Sequence, residues 1–205
     1  MKKSCIKIKA IPVKSLAKEF DKGIAVGKLR FDDLKVFEEV EHSHRHDYHF
    51  FILQLSGTSY FEIDFEKSHL NNSSVIYIAP NQVHKALKAE NTEFYLLAIT
   101  SENLNPEYLK LLQEIAPVKP LPLSAEYFSL ISQAFLLCSN LFESKENKLY
   151  LPLIKDSCNT LVALIISQYL ENPKQADTVS RFGITTKAFR LALEKDFVKN
   201  KRPAD

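Results

Sequence analysis

The feature that most constrains the fold of this chain is a change in the period of its apolar residues. In the first hundred residues apolar side chains alternate with polar ones, as at residues 6–10 and again at Phe61, Ile63 and Phe65. Alternation with a period of two is typical of half-buried β-strands. Several such short runs, separated by turn residues, predict an antiparallel barrel or jelly roll.

A turn signal lies between two of these runs. Ser56 and Gly57 follow the largely apolar run at residues 48–55 and precede the alternating run at residues 61–66. Because glycine adopts turn conformations easily, this pair predicts a β-hairpin that joins the two runs.

Beyond residue 105 the chain becomes first proline-rich and then helical. Prolines at positions 106, 117, 120 and 122 predict a joint between two parts of the chain. Two apolar stripes with spacings of three and four residues follow, and a polar break at residues 143–147 separates them. They predict an α-helical hairpin. The stripes are Phe128, Ile131, Phe135, Cys138 and Phe142, then Leu151, Ile154, Cys158, Leu161 and Ile165.

The apolar faces of this hairpin are wider than one partner helix requires, because each helix carries a second apolar row beside its stripe. This second apolar row either packs on the β domain or forms the interface of a homodimer. We predict dimerisation, and we assign it to Ile154, Cys158, Leu161 and Ile165.

These patterns divide the chain into three regions. Residues 1–122 form a β domain, residues 123–172 the helical hairpin, and residues 173–205 a polar linker and a short C-terminal helix. Residues 174–205 contain eight basic and four acidic side chains, a net charge of +4. This charge suits contact with an anionic partner such as nucleic acid, or simply a solvated helix face. A single short helix cannot bury its own apolar stripe, so we expect the architecture to continue beyond residue 205.

Composition excludes several classes of protein. With 45% hydrophobic and 25% charged residues among 205, the chain is neither disordered nor fibrous. Its purely apolar runs are far shorter than the roughly 20 residues that span a bilayer, and its start does not resemble a secretory signal. Cys5, Cys138 and Cys158 form no paired motif, which argues against disulfides and cysteine–zinc sites. We therefore expect a cytoplasmic protein without membrane contact.

Four of the six histidines lie between residues 41 and 49. His44 and His46 are two residues apart, so on a strand their imidazoles point to the same face. His84 follows Pro80 after the next short strand. Three imidazoles of this kind are a reasonable ligand set for a divalent transition metal. A six-coordinate centre usually has a carboxylate as well, and the positions where one would project inward after His46 hold Phe50 and Phe51. The alternative is a set of hydrogen-bonded polar residues at the mouth of a cavity, and we expect no bound cofactor.

Two segments carry a resemblance to a known family. They read HSHRHDYHFFILQLSGTSYFEID (residues 42–64) and NNSSVIYIAPNQVHKAL (residues 71–87). The pair His44-x-His46 and the segment Pro80-x-x-x-His84 resemble the two short histidine motifs of the cupin superfamily. In their order along the chain, the segments resemble the N-terminal effector-binding domain of AraC/XylS-type transcriptional regulators. Asn81 stands where the family usually has glycine, and asparagine also tolerates positive φ.

The resemblance implies a sensor rather than an enzyme. A small-molecule effector would lie inside a cupin-like β-barrel, and the helical hairpin would form a homodimer. Residues 173–205 would be the linker and the first helix of a truncated DNA-binding domain, and DNA would be bound by helix-turn-helix units absent from this chain. No nucleotide-binding or hydrolase motif is present to suggest catalysis. The alternatives are a metal-dependent cupin enzyme, such as a dioxygenase or isomerase, and a stand-alone ligand-binding cupin. The predicted effector-binding residues are His44, His46, Tyr48, Phe61, Ile63, Tyr77 and His84.

Overall fold

The structure of the protein is a computed structural model that describes residues 11–15, 22–30, 41–115 and 119–172. The predicted first strand at residues 6–10 and the predicted C-terminal helix lie outside the described residues.

Eight described strands form an antiparallel main sheet and a small parallel pair. The strands are β1 (Val13–Lys14), β2 (Ile24–Arg30), β3 (Arg45–His46), β4 (His49–Ile63), β5 (Glu66–Leu70), β6 (Ser74–Ile78), β7 (His84–Ile99) and β8 (Leu121–Pro122). In the main sheet the order is β2-β7-β4-β6-β8, and β5 also pairs with β4; β1 pairs with β3. The hydrogen-bonded path through the described strands runs from β2 to β8 without closing.

Three described helices pack on this sheet: α1 (Pro106–Ile115), α2 (Ala125–Glu143) and α3 (Tyr150–Glu171). A short 3₁₀ turn, Ser101–Asn103, precedes α1. The predicted α+β fold is confirmed, with a cupin-like, jelly-roll-like antiparallel sheet followed by an α-helical hairpin.

Helix α1 was not expected, because the sequence predicts only a joint there. Pro106 is the first residue of the helix, where its missing N–H is no loss. The Asn105 side chain accepts a hydrogen bond from the Glu107 N–H at 2.9 Å and so caps the helix. The proline that suggested a joint therefore starts a helix.

The predicted hairpin at Ser56-Gly57 is wrong. Strand β4 continues through these residues for 15 residues in all, and its pairing with β7 shifts register between Gln54 and Thr58. Gly57 has a φ of +71°, so its conformational freedom serves an irregularity inside a strand. The chain turns at Asp64-Phe65, where both residues have positive φ, and β5 returns along β4 from there.

The two faces of the sheet are covered differently. One face packs against all three helices in a core to which β2, β4, β6 and β7 also contribute. The other face forms the apolar interior of the curled sheet. Strand β6 displays the division clearly: Val75 and Tyr77 face the helices, whereas Ile76 and Ile78 face the interior.

The four residues assigned to dimerisation lie in the core of a single chain, and this corrects their assignment. Ile154, Cys158, Leu161 and Ile165 are at most 1% exposed and belong to the cluster between α3, α2 and the sheet. A second chain cannot reach them in this conformation. The second row of α3 is buried as well, since Val162, Ile166 and Tyr169 are at most 3% exposed.

Candidate functional site

A short β-bridge creates the centre of the candidate site. The backbones of His44 and His84 exchange two hydrogen bonds, with N···O distances of 3.0 Å from His44 and 2.9 Å from His84. Residues directly opposite each other in an antiparallel pair carry their side chains on the same face. The bridge therefore places both imidazoles together, with ring centroids 4.5 Å apart.

His46 completes the cluster, because it lies two residues beyond His44 on the same face. Its carbonyl accepts a hydrogen bond from the Asn81 N–H at 2.8 Å. Its ring centroid is 5.0 Å from that of His44 and 4.5 Å from that of His84. One ring nitrogen from each of the three histidines lies within 4.8 Å of the others, so their predicted convergence is confirmed.

The loop before His84 is held in place by side chains. Asn81 has a φ of +66°, the conformation that its amide tolerates. The Gln82 side chain accepts a hydrogen bond from the Ala79 N–H at 2.7 Å and donates one to Asp64 Oδ2 at 2.8 Å. Asp64 Oδ1 also accepts from the Val83 N–H at 3.0 Å. The β4–β5 turn thus fixes the position of the His84 backbone.

The three histidines are buried at 3%, 6% and 4% exposure for His44, His46 and His84, respectively. Burial, with repulsion from the other two rings and Lys14, lowers the pKa of His46 to about 2. Burial likewise lowers the pKa of His84 to about 4 and that of His44 below its usual range. A charged imidazolium loses hydration in such a place, so the neutral ring is favoured.

Aromatic and apolar residues surround the cluster. The Tyr48 ring stacks on His46 at 4.3 Å, and the Phe50 edge approaches it at 5.3 Å. Ile63 pairs with His84 in register, and Phe61 lies on the same apolar interior face. Six of the seven predicted effector-binding residues therefore lie on this side of the sheet, although their role in binding stays a prediction.

Tyr77 is the exception and corrects the predicted set. It lies on the opposite face, stacked on Phe51 within the core that meets the helices. Its Oη is 2.9 Å from Nδ1 of His49, whose Nε2 is 3.1 Å from Ser101 Oγ. Sequence reasoning did not single out this buried network. The sequence did contain a signal for it: His49 is an odd number of residues from His44 and His46, so on an extended chain its side chain points to the opposite face.

The site therefore combines an antiparallel sheet, an apolar interior face and a buried histidine cluster. The model of the AraC-like ligand binding domain family matches residues 39–153, and the chain belongs to this family. The predicted family is thereby confirmed. By its family, this region is a ligand-binding domain.

Several solved structures share parts of the fold. The AraC-like transcriptional activator CuxR aligns with 16% identity and a TM-score of 0.44, over 60% of this chain and 42% of that one. A putative mannose-6-phosphate isomerase from Ralstonia eutropha aligns with 9% identity and a TM-score of 0.30, over 39% and 77%. The EutQ protein of Clostridium difficile aligns with 14% identity and a TM-score of 0.30, over 38% and 58%. No curated protein sequence matches the chain significantly.

The alignment with CuxR thus spans less than half the length of that protein. Among the described residues, no helix is long and apolar enough to cross a membrane.

Proposed function

We propose that this chain is the effector-sensing and dimerisation region of an AraC-like transcriptional regulator. The observation that carries the proposal is the family match over residues 39–153, which includes every strand from β3 to β8. Helix-turn-helix units outside this sequence would bind DNA, and effector occupancy would bias how the helices present them. A regulator that binds DNA in this way would work in the cytoplasm.

The effector would bind on the interior face of the sheet. Small-molecule sites combine apolar walls with a few polar groups. Phe61 and Ile63 supply such walls, and Tyr48 with the three histidines supplies polar contacts. A surface pocket of about 190 Å³ lined by Arg30, Ser56, Asn91, Thr92 and Glu93 fits this role less well. It is smaller than the roughly 300 Å³ typical of ligand sites, and its lining is polar.

The domain would sense rather than catalyse. The histidine cluster, as far as the described residues define it, contains no carboxylate. The His46 and His84 rings stay neutral well below pH 7, since burial lowers the pKa of His46 to about 2 and that of His84 to about 4. General acid–base catalysis instead favours a group whose pKa is near the working pH.

Dimerisation would use the outer surface of the hairpin. Leu130, Leu136 and Leu137 on α2 are between 43% and 53% exposed. Leu151 and Leu153 on α3 are 41% and 38% exposed. Leucines grouped on helix surfaces in this way are typical of contact sites between chains.

The test is a thermal-shift screen of the purified chain against a panel of sugars, organic acids and small aromatic compounds. A compound that raises Tm is then titrated into Ile63→Trp, which fills the proposed interior site, and into Tyr77→Phe, which alters the opposite face. We expect Kd to rise at least tenfold in Ile63→Trp and to stay within twofold in Tyr77→Phe. The reverse pattern would place the effector on the helix side of the sheet and contradict the proposal.

A further inference from the structure

Two buried nitrogens of the histidine cluster have no hydrogen-bond partner among the residues that the structure describes. Nδ1 of His46 and Nε2 of His84 are inaccessible to solvent and make no hydrogen bond to any described residue. Buried polar atoms in folded proteins are nearly always paired, so each exception calls for an explanation. A set of hydrogen-bonded polar residues would not leave such atoms unsatisfied.

Two of the rings are held in a defined tautomer by backbone carbonyls. Nδ1 of His44 is 2.8 Å from the His42 carbonyl oxygen, and Nδ1 of His84 is 2.9 Å from the Gln82 carbonyl oxygen. A carbonyl can only accept, so each Nδ1 carries the hydrogen and each Nε2 keeps a lone pair. Histidines that bind metal ions are commonly oriented by this same hydrogen bond from the second ring nitrogen.

The remaining properties of the cluster suit a metal ion. The three ligand nitrogens lie within 4.8 Å of one another, and nitrogens that share one zinc ion are about 3.4 Å apart, so small ring rotations close the gap. Imidazole nitrogens favour zinc, copper, iron or nickel over magnesium or calcium, which prefer oxygen.

We propose that His44, His46 and His84 bind one divalent transition-metal ion through three ring nitrogens and leave at least one coordination position open. No carboxylate joins this cluster among the described residues, and Phe50 closes one side of His46. The described part of the cluster contributes no negative charge to the ion, so the open position suits water or an oxygen donor from a small molecule. The proposal goes beyond the effector-sensing function and does not depend on it, because an effector can bind elsewhere on the interior face without metal.

The test uses the full chain after treatment with a chelator and removal of that chelator. Co²⁺ is titrated while visible absorption is recorded, and Zn²⁺ binding is measured by calorimetry. We expect one ion per chain and cobalt bands of a nitrogen-ligated site. His84→Gln and His46→Gln should weaken binding at least 100-fold. The matched control is His69→Gln, because His69 is an exposed histidine stacked on Tyr60 away from the cluster. It should bind as the wild type does.

A second measurement keeps the proposal testable if the cluster variants fail to fold. The wild-type chain is labelled with ¹⁵N, and the ring-nitrogen shifts of its six histidines are followed as one equivalent of Zn²⁺ is added. Three histidines, assigned to positions 44, 46 and 84, should shift. Absence of binding to the wild-type chain, retention of binding in His84→Gln, or shifts at other histidines would each overturn the proposal.

Discussion

At the scale of single residues, Gly57 has the clearest structural requirement. Its φ of +71° lies in the left-handed region, and a Cβ there would collide with the backbone carbonyls of Glu90 and Asn91 on β7. Gly27 in β2 has nothing within 4 Å of a Cβ position. The backbone therefore requires glycine at position 57 and leaves room for a larger side chain at position 27.

We expect Gly57→Ala to lower the free energy of unfolding by at least about 2 kcal/mol, because strain at positive φ adds to the backbone collision. Gly27→Ala is the control and should change it by less than about 1 kcal/mol, with either sign. Urea denaturation followed by circular dichroism measures both values. Equal effects in the two variants would mean that the irregularity in β4 does not depend on glycine.

His49 provides a prediction about pH. Burial lowers its pKa from 6.5 to about 4, and both of its ring nitrogens lie within hydrogen-bond distance of hydroxyl groups. Below pH 6.5 the unfolded chain therefore binds a proton at His49, whereas the folded chain binds it only below about pH 4. The stabilisation is complete above pH 6.5 and is lost as the pH falls through this window, by up to about 3 kcal/mol.

The slope of unfolding free energy against pH reports the number of protons taken up on unfolding. Between pH 6.5 and 4, in the presence of chelator, we expect this number to be smaller by about one in His49→Gln than in the wild type. The wild-type slope includes His46 and His84 as well, since burial lowers the pKa of both. An unchanged slope in His49→Gln would show that this histidine is protonated in the folded chain at pH 5.

At the scale of elements, the helical hairpin has an inner and an outer surface with opposite roles. The inner surface contains Leu161, fully buried beneath α2 and against the sheet. The outer surface of α2 exposes 43% of Leu130 and 53% of Leu137, which lie two turns apart on one face. A charge should therefore have different consequences at the two surfaces.

We expect the double variant Leu130→Glu/Leu137→Glu to convert a dimer into a folded monomer, because the charges remain in water in the monomer but not in an interface. Leu161→Glu should unfold the chain instead, at a cost of several kcal/mol for a buried unpaired carboxylate. Light scattering and circular dichroism separate the two effects. A folded dimer in the double variant would locate the interface on another surface.

At the scale of the whole molecule, the sheet and the hairpin share one core. The cluster on the helix side of the sheet contains Phe51 and Leu97 from the strands together with Phe135 and Ile165 from the helices, all fully buried. The Tyr169 hydroxyl also donates to the Val75 and Lys119 carbonyls at 3.2 Å each. The predicted boundary after residue 122 therefore crosses a continuous hydrophobic interface.

We expect a fragment of residues 1–122 not to fold alone, because removal of α2 and α3 exposes one whole face of the sheet to water. The full chain should unfold in one transition that is identical for helical and aromatic signals. A fragment with dispersed nuclear magnetic resonance spectra and cooperative unfolding would contradict this expectation and support the predicted boundary.

The sequence by itself determined those features of the fold that depend only on residues close to one another in the chain. Strand parity places His44 and His46 on one face, and Ser124, directly before α2, caps this helix by accepting a hydrogen bond from the Tyr127 N–H. The stripes at spacings of three and four correctly identified both helices of the hairpin. Each of these features follows from backbone geometry over a few residues, so a local pattern is sufficient to predict it.

Only the tertiary structure decided which surfaces meet. Gly57 allows a turn or an irregular strand, and the pairing of β4 with β7 selected the strand. The alternation within β6 separates Tyr77 from Ile76 and Ile78, but only the packing of the helices determined which of the two faces of the sheet is the interior. The bridge between His44 and His84 joins residues forty positions apart. Such contacts depend on sheet register and on the burial of whole faces, and both are properties of the assembled chain rather than of any short segment.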